Sequence, residues 1–144
     1  IVMTERSDEG SSGMAAGIGI DMVTISEISR LLGAGDPADI SSLDPFFRRT
    51  FTDAELAMAA HRDNAAEFLA GRFAVKEAVF KSLAPYAADN LEFHDIETLA
   101  RQDGSPYVNP TPVLTRALEQ AQAREILVSI TNEGNYAVAI ALSQ

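Results

Sequence analysis

The chain has 144 residues, is 47% hydrophobic and contains no cysteine. That composition suits one globular domain with a real core and excludes disulfides and thiolate metal sites. A net charge of -10 argues against a general nucleic-acid binder, and no apolar run is long enough to span a bilayer.

Residues 1–15 lack the apolar run of a signal peptide and are expected to form a flexible tail, with one domain over 16–144 and a cytoplasmic location. "AGIGIDMVT" (16–24) reads as a strand whose glycines allow close backbone approach. A helix is expected from Ile25 to Leu32, then a loop over 33–42 and a short helical piece in "LDPFFRRTF". Thr52 and Glu55 make a capping box that starts a helix through about Ala60. A long helix is expected over 65–84, stopped by Pro85. "LEFHDIETLARQ" (91–102) reads as a strand, "DGSPY" as a turn, and "TPVLTRALEQAQA" as an amphipathic helix. "EILVSIT" and "YAVAIALS" form a hairpin across "NEGN". The fold class is therefore α+β: a small antiparallel sheet packed on one long helix, with shorter helices around it.

The long helix carries the chemistry. On a helical wheel Phe68, Leu69, Phe73, Val75, Val79, Phe80 and Leu83 make a broad apolar face, with Arg72 and Lys76 inside it. Ala70, Gly71, Ala74 and Ala78 make a small-residue face, and Glu77 and Lys81 lie at the border. One reading is a solvated Glu77–Lys81 pair with the other cations reaching water along their stems. The other is a cleft for a phosphorylated ligand, with a carboxylate for a hard divalent ion and cations for phosphate oxygens. The second carboxylate is then Asp21, at the end of "GIGID", a position that equally suits a turn or helix-cap residue. His61 and His94 are too few and too far apart for a histidine zinc site. Gly17 and Gly19 do not open a dinucleotide fingerprint, because Met22 stands at its third glycine position.

"GIGIDMV" (17–23), "RRTFTDAEL" (48–56), "FLAGRFAVKEAVFKSL" (68–83), "DIETLARQDGSPYV" (95–108) and "ILVSITNEGNYAVAIAL" (126–142) together resemble the 4′-phosphopantetheinyl transferases, of the small holo-acyl-carrier-protein synthase type. The segments stand in the family's order and cover nearly all of the chain after residue 16. The resemblance implies an enzyme that moves the phosphopantetheine arm of coenzyme A onto a serine of an apo acyl carrier protein or carrier domain. Adenosine 3′,5′-bisphosphate is released, and the expected setting is fatty acid biosynthesis. Residue matching makes Asp21 and Glu77 ligands of Mg²⁺, with Mn²⁺ as the other candidate, and makes Glu77 and Lys81 the catalytic pair. Glu77 is the candidate base, and Lys81 steadies or protonates the departing bisphosphate. Lys76 and Arg72 are expected to face phosphates of coenzyme A. The resemblance further implies a homotrimer holding each coenzyme A between neighbours. Gly104, Ser105 and Pro106 then lie near the adenine, and Ser129, Thr131 and Asn132 meet the nucleotide across the interface.

Two departures stand out. Asn132 occupies a position where many members have histidine, so it can donate a hydrogen bond but cannot become cationic. Glu27 replaces an arginine that several members use to grip an acidic carrier, leaving Arg30, Arg48, Arg49 and Arg62 as docking cations. The expected carrier is therefore one other than the usual free-standing acidic protein. The alternative function is a non-catalytic module that keeps the fold for assembly or for binding coenzyme A.

Overall fold

A computed structural model describes residues 17–87 and 90–144. The tail expected over 1–15 lies outside the described residues.

Strand β1 (Gly17–Thr24) leads directly into helix α1 (Ile25–Leu32). A 3-10 turn at Ile40–Ser42 precedes α2 (Pro45–Thr50) and α3 (Asp53–Ala60). Asp44 caps α2, with Pro45 in its first turn, and Thr52 and Glu55 form the expected capping box on α3. Helix α4 (Ala65–Ala87) is the longest element, with Asn64 accepting the Glu67 backbone N–H at its start. It continues through Pro85 rather than stopping there. A proline near the last turn removes one backbone hydrogen bond, and a 23-residue helix absorbs that loss.

The segment 91–102 is mostly not strand. Phe93–Asp95 is a 3-10 turn in which the Asp95 carboxylate accepts the Glu92 backbone N–H, and only Glu97–Ala100 extends as β2. It pairs antiparallel with β3 (Pro106–Asn109), a strand the sequence reading left within turn and connection. Helix α5 (Pro112–Gln120) and the hairpin β4 (Ile126–Glu133) and β5 (Tyr136–Ser143) complete the chain. Glu133 and Tyr136 face each other in the ladder, so the turn is Gly134–Asn135, tighter than expected. Asn135 also accepts the backbone N–H groups of Ile25 and Ser26, fastening the start of α1 to the hairpin.

The main sheet is antiparallel in the order β1-β5-β4, and α4 packs across one of its faces. Alternation puts Gly17, Gly19, Asp21 and Val23 on the helix side of β1. A β-carbon on Gly19 would lie 1.9 Å from the Ala78 carbonyl oxygen, and one on Gly17 2.0 Å from that of Ser82. The backbones therefore touch, and glycine alone permits it. Around this contact Ile28, Phe47, Phe51, Leu56, Leu69, Val79, Leu83, Ile96 and Leu114 make one buried core. The other sheet face is apolar yet open. Ile18, Ile20 and Met22 of β1, Tyr136 and Ile140 of β5, and Leu127 of β4 are all exposed, with Ile20 and Met22 at 60% and 62%.

The seam predicts that Gly19→Ala lowers the unfolding free energy by roughly 3 kcal/mol or more, because only separation of β1 from α4 relieves the clash. Urea denaturation of the two proteins measures it.

Candidate active site

Because Asp21 follows Gly19 on the same strand face, the glycine seam delivers its carboxylate to the side of α4. There Lys81 Nζ donates to Asp21 Oδ1 at 3.1 Å and to the Ile20 carbonyl at 2.9 Å. The partner of Lys81 is thus Asp21, not the Glu77 one turn earlier that a surface pair would use. Asp21 caps no helix; Thr24 is the cap residue of α1. Glu77 is half-buried beside them. Burial pushes its carboxyl up, the charge of Asp21 pushes further, and Lys81 opposes both. A divalent cation held by Asp21 and Glu77 would offset that repulsion. Among the described residues no three potential metal-ligating side chains gather. A two-carboxylate site still suits Mg²⁺, which takes few protein ligands and fills its shell with water and substrate phosphate oxygens.

Phe73 and Phe80, four residues before and three after Glu77 on the same helix side, line a cleft of about 790 Å³ with Phe46, Phe93, His94 and Arg49.

Lys76 corrects the sequence reading. It is adjacent to Glu77 in the chain but wholly buried, paired to Glu55 Oε1 at 2.7 Å. Its ammonium also donates to the carbonyls of Phe93 and Ile96, so all three N–H groups are used. Burial lowers its pKa against the opposing pull of Glu55. Lys76 therefore does not face phosphate.

Arg72 lies about 140° around α4 from Glu77, on the flank away from Asp21. Its guanidinium sits 4.3 Å from the Phe68 ring centre, and Arg62 sits 4.6 Å from the same ring. Arg72 is 7% exposed and its Nε has no hydrogen-bond acceptor. Burial takes its pKa down to about 10, with Glu55 raising it and Arg62 lowering it further. Among the described residues neither arginine has a carboxylate within salt-bridge reach. Sequence reading placed Arg62 among docking cations; its six-residue distance from Phe68, across a helix start, gave no periodic signal.

The remaining candidates fall elsewhere. Asn132 is on the helix side of β4 and donates to Glu67 Oε1 at 3.0 Å. Ser129 and Thr131 are on the opposite, open face, beside Ile140 and Val138 in the ladder. Gly104, with φ 88°, turns β2 into β3, and Ser105 Oγ donates to Asp103 Oδ1 at 2.6 Å while Pro106 starts β3. Within one chain the structure joins Asp21, Glu77 and Lys81, and it sets Arg72, Ser129, Thr131, Asn132 and the Gly104–Pro106 turn apart from them.

The α+β domain thus holds two carboxylates and a lysine at its strand–helix seam, with a separate pair of arginines on Phe68. The chain belongs to the 4′-phosphopantetheinyl transferase superfamily, whose profile it matches over residues 17–141. It is 34% identical over 128 residues to the holo-[acyl-carrier-protein] synthase of Myxococcus xanthus, covering 89% of this chain and 94% of that one. Its fold is similar to the crystal structure of the Neisseria meningitidis holo-[acyl-carrier-protein] synthase, with a TM-score of 0.72, 26% identity and coverage of 91% and 99%. It is also similar to the Bacillus anthracis holo-(acyl-carrier-protein) synthase in complex with coenzyme A, with a TM-score of 0.68, 27% identity and coverage of 91% and 97%.

The raised Glu77 pKa carries a sign. A carboxyl whose pKa is higher folded than unfolded favours the fold only while protonated, and that contribution is lost as pH rises through its folded value. Without added metal, Glu77→Gln is therefore expected to stabilise the protein at pH 7 and to change nothing below the ordinary glutamate range of about 4.3. Urea titrations at the two pH values, in chelator, check this. Equal effects at both would show that Glu77 is not perturbed.

Proposed function

We propose that the chain is a holo-acyl-carrier-protein synthase. It transfers the 4′-phosphopantetheine arm of coenzyme A to a serine of an apo acyl carrier protein or carrier domain and releases adenosine 3′,5′-bisphosphate. The observation that carries this reading is the Asp21–Glu77–Lys81 cluster at the seam of β1 and α4, in a chain of this superfamily. Asp21 and Glu77 are the residues to hold Mg²⁺, or Mn²⁺ in its place, which when bound neutralises the pyrophosphate and activates the phosphoryl group.

The chain's own residues do the rest. The serine oxygen attacks the β-phosphorus as the bond to the bridging oxygen breaks, and the hydroxyl proton passes to a base. Glu77 is the candidate base, since desolvation keeps its carboxylate more basic than an exposed glutamate. Lys81 has spent two of its three N–H groups on Ile20 and Asp21, and the third remains for the departing bisphosphate. The cleft lined by Phe73 and Phe80, on the turns of α4 that flank Glu77, is the approach this reading gives the acceptor serine.

The nucleotide needs more than this seam. Arg72 with Arg62, Ser129, Thr131, Asn132 and the Gly104–Pro106 turn lie apart from it in one chain, and a neighbouring copy brings them to it. The open sheet face supplies the contact, since a patch with Ile20, Met22 and Ile140 exposed is apolar enough for self-association. A head-to-tail contact that closes makes a ring, and the family resemblance makes it a homotrimer. The same reading assigns the reaction to the cytoplasm and to fatty acid biosynthesis. Glu27, exposed on α1, favours a carrier domain less acidic than the usual free-standing protein.

Incubation with coenzyme A, Mg²⁺ and a panel of apo carriers, read by intact mass, tests the transfer. The carrier is expected to gain one phosphopantetheine arm, and Glu77→Gln or chelator is expected to slow the gain at least ~100-fold. No gain on any carrier, with coenzyme A still bound, would favour the non-catalytic binding module. Light scattering tests the assembly separately. The native chain is expected at trimer mass and the Ile20→Glu/Met22→Glu variant at monomer mass with its far-ultraviolet spectrum unchanged. A native monomer would sink the shared site.

A further inference from the structure

Glu55 is a fully buried carboxylate with three hydrogen-bond donors around it, and the transfer chemistry does not use it. Its Oε1 takes Lys76 Nζ and the Thr52 backbone N–H, and its Oε2 takes the Thr98 backbone N–H. The node ties α3, α4 and β2 together. It also lies within electrostatic reach of Arg72, whose ionisation it favours. Arg72 and Lys76 are four residues apart and share one flank of α4. Two cations thus compete for one carboxylate, and Lys76 holds it.

That outcome runs against side-chain preference. A guanidinium fits a carboxylate in paired hydrogen bonds, which an ammonium cannot match. Yet Arg72 is turned onto Phe68 beside Arg62, more than nine-tenths buried and with its Nε unpartnered. A buried donor left open is costly unless a ligand completes it. Lys76 holds the carboxylate with an ammonium that also donates to the Phe93 and Ile96 carbonyls, so its charge is fully satisfied there.

We infer that Lys76 is a positioning residue: by occupying Glu55 it keeps the Arg72 guanidinium free of carboxylate and open to a nucleotide phosphate. The inference rests on the phosphate role proposed above for Arg72. Without Lys76, Glu55 is an uncompensated buried charge, and Arg72 is the cation that turns to it. The proposed phosphate site then loses its buried arginine although no nucleotide contact was mutated.

Calorimetric titration of the full chain with adenosine 3′,5′-bisphosphate tests this. Arg72→Gln is expected to weaken binding about tenfold, the loss of one charged hydrogen-bonding group. Lys76→Met is expected to weaken it equally, and adding Arg72→Gln to Lys76→Met should change it less than about twofold. The neutral pair Glu55→Gln/Lys76→Met should return to within about threefold of the native affinity, which a lysine that touched the nucleotide itself could not do. A neutral pair as weak as Arg72→Gln, or a folded Lys76→Met that binds like the native chain, overturns the inference. Should Lys76→Met alone not fold, the neutral pair decides, since it must bind normally and lose about tenfold on adding Arg72→Gln. An Arg72→Gln protein with native affinity would remove the phosphate role of Arg72 first, and the inference with it.

Discussion

The contact on which the rest depends is backbone against backbone. Gly17 and Gly19 press β1 onto the carbonyls of Ser82 and Ala78, at distances no side chain would survive. Every useful feature of the seam follows from that closeness. A strand held further off would leave Asp21 out of reach of Lys81, and Glu77 without the neighbouring charge that raises its carboxyl. The small residues of α4 do the complementary work. Ala74 and Ala78 are fully buried because the sheet lies directly upon them.

The four charges of α4 divide by partner. Glu77 and Lys81 sit at the edge of the sheet contact and meet Asp21. Lys76, only 100° from Glu77 on an ideal wheel, passes into the core and meets Glu55. Arg72, about 40° from Lys76 on the same flank, turns instead onto Phe68. A charge on this helix therefore meets three different surroundings: a carboxylate on the neighbouring strand, a buried ion pair and an aromatic ring. Only the partners distinguish them, and those partners come from β1, α3 and the start of α4 itself.

Much of this was legible in the sequence. Alternation and glycine spacing gave β1, the apolar runs gave the hairpin, and Thr52 with Glu55 gave the start of α3. The Asp21–Glu77–Lys81 cluster was legible through the motif that carries the family resemblance. What stayed hidden was non-local. Lys76 finds its carboxylate 21 residues away, in a glutamate that sequence reading had already assigned to a helix cap. Glu55 in fact does both jobs, and the cap masks the burial. Strand β3 begins at a proline and has four residues, too few to show a period, and only its pairing with β2 makes it a strand. The helix end was missed because a proline in the last turns of a long helix forfeits little.

The alternation on β1 has a bearing on how the chain reaches this state. Glycines and Asp21 share one strand face, and Ile18, Ile20 and Met22 share the other. A slip of one residue would drive isoleucine side chains into the carbonyls of α4 and turn Asp21 to the outside. Misaligned docking is thus barred sterically and, at the same time, chemically silent. The strand proofreads its own registration: the three groups of the seam come together only in molecules whose β1 has zipped onto β5 in the one correct frame.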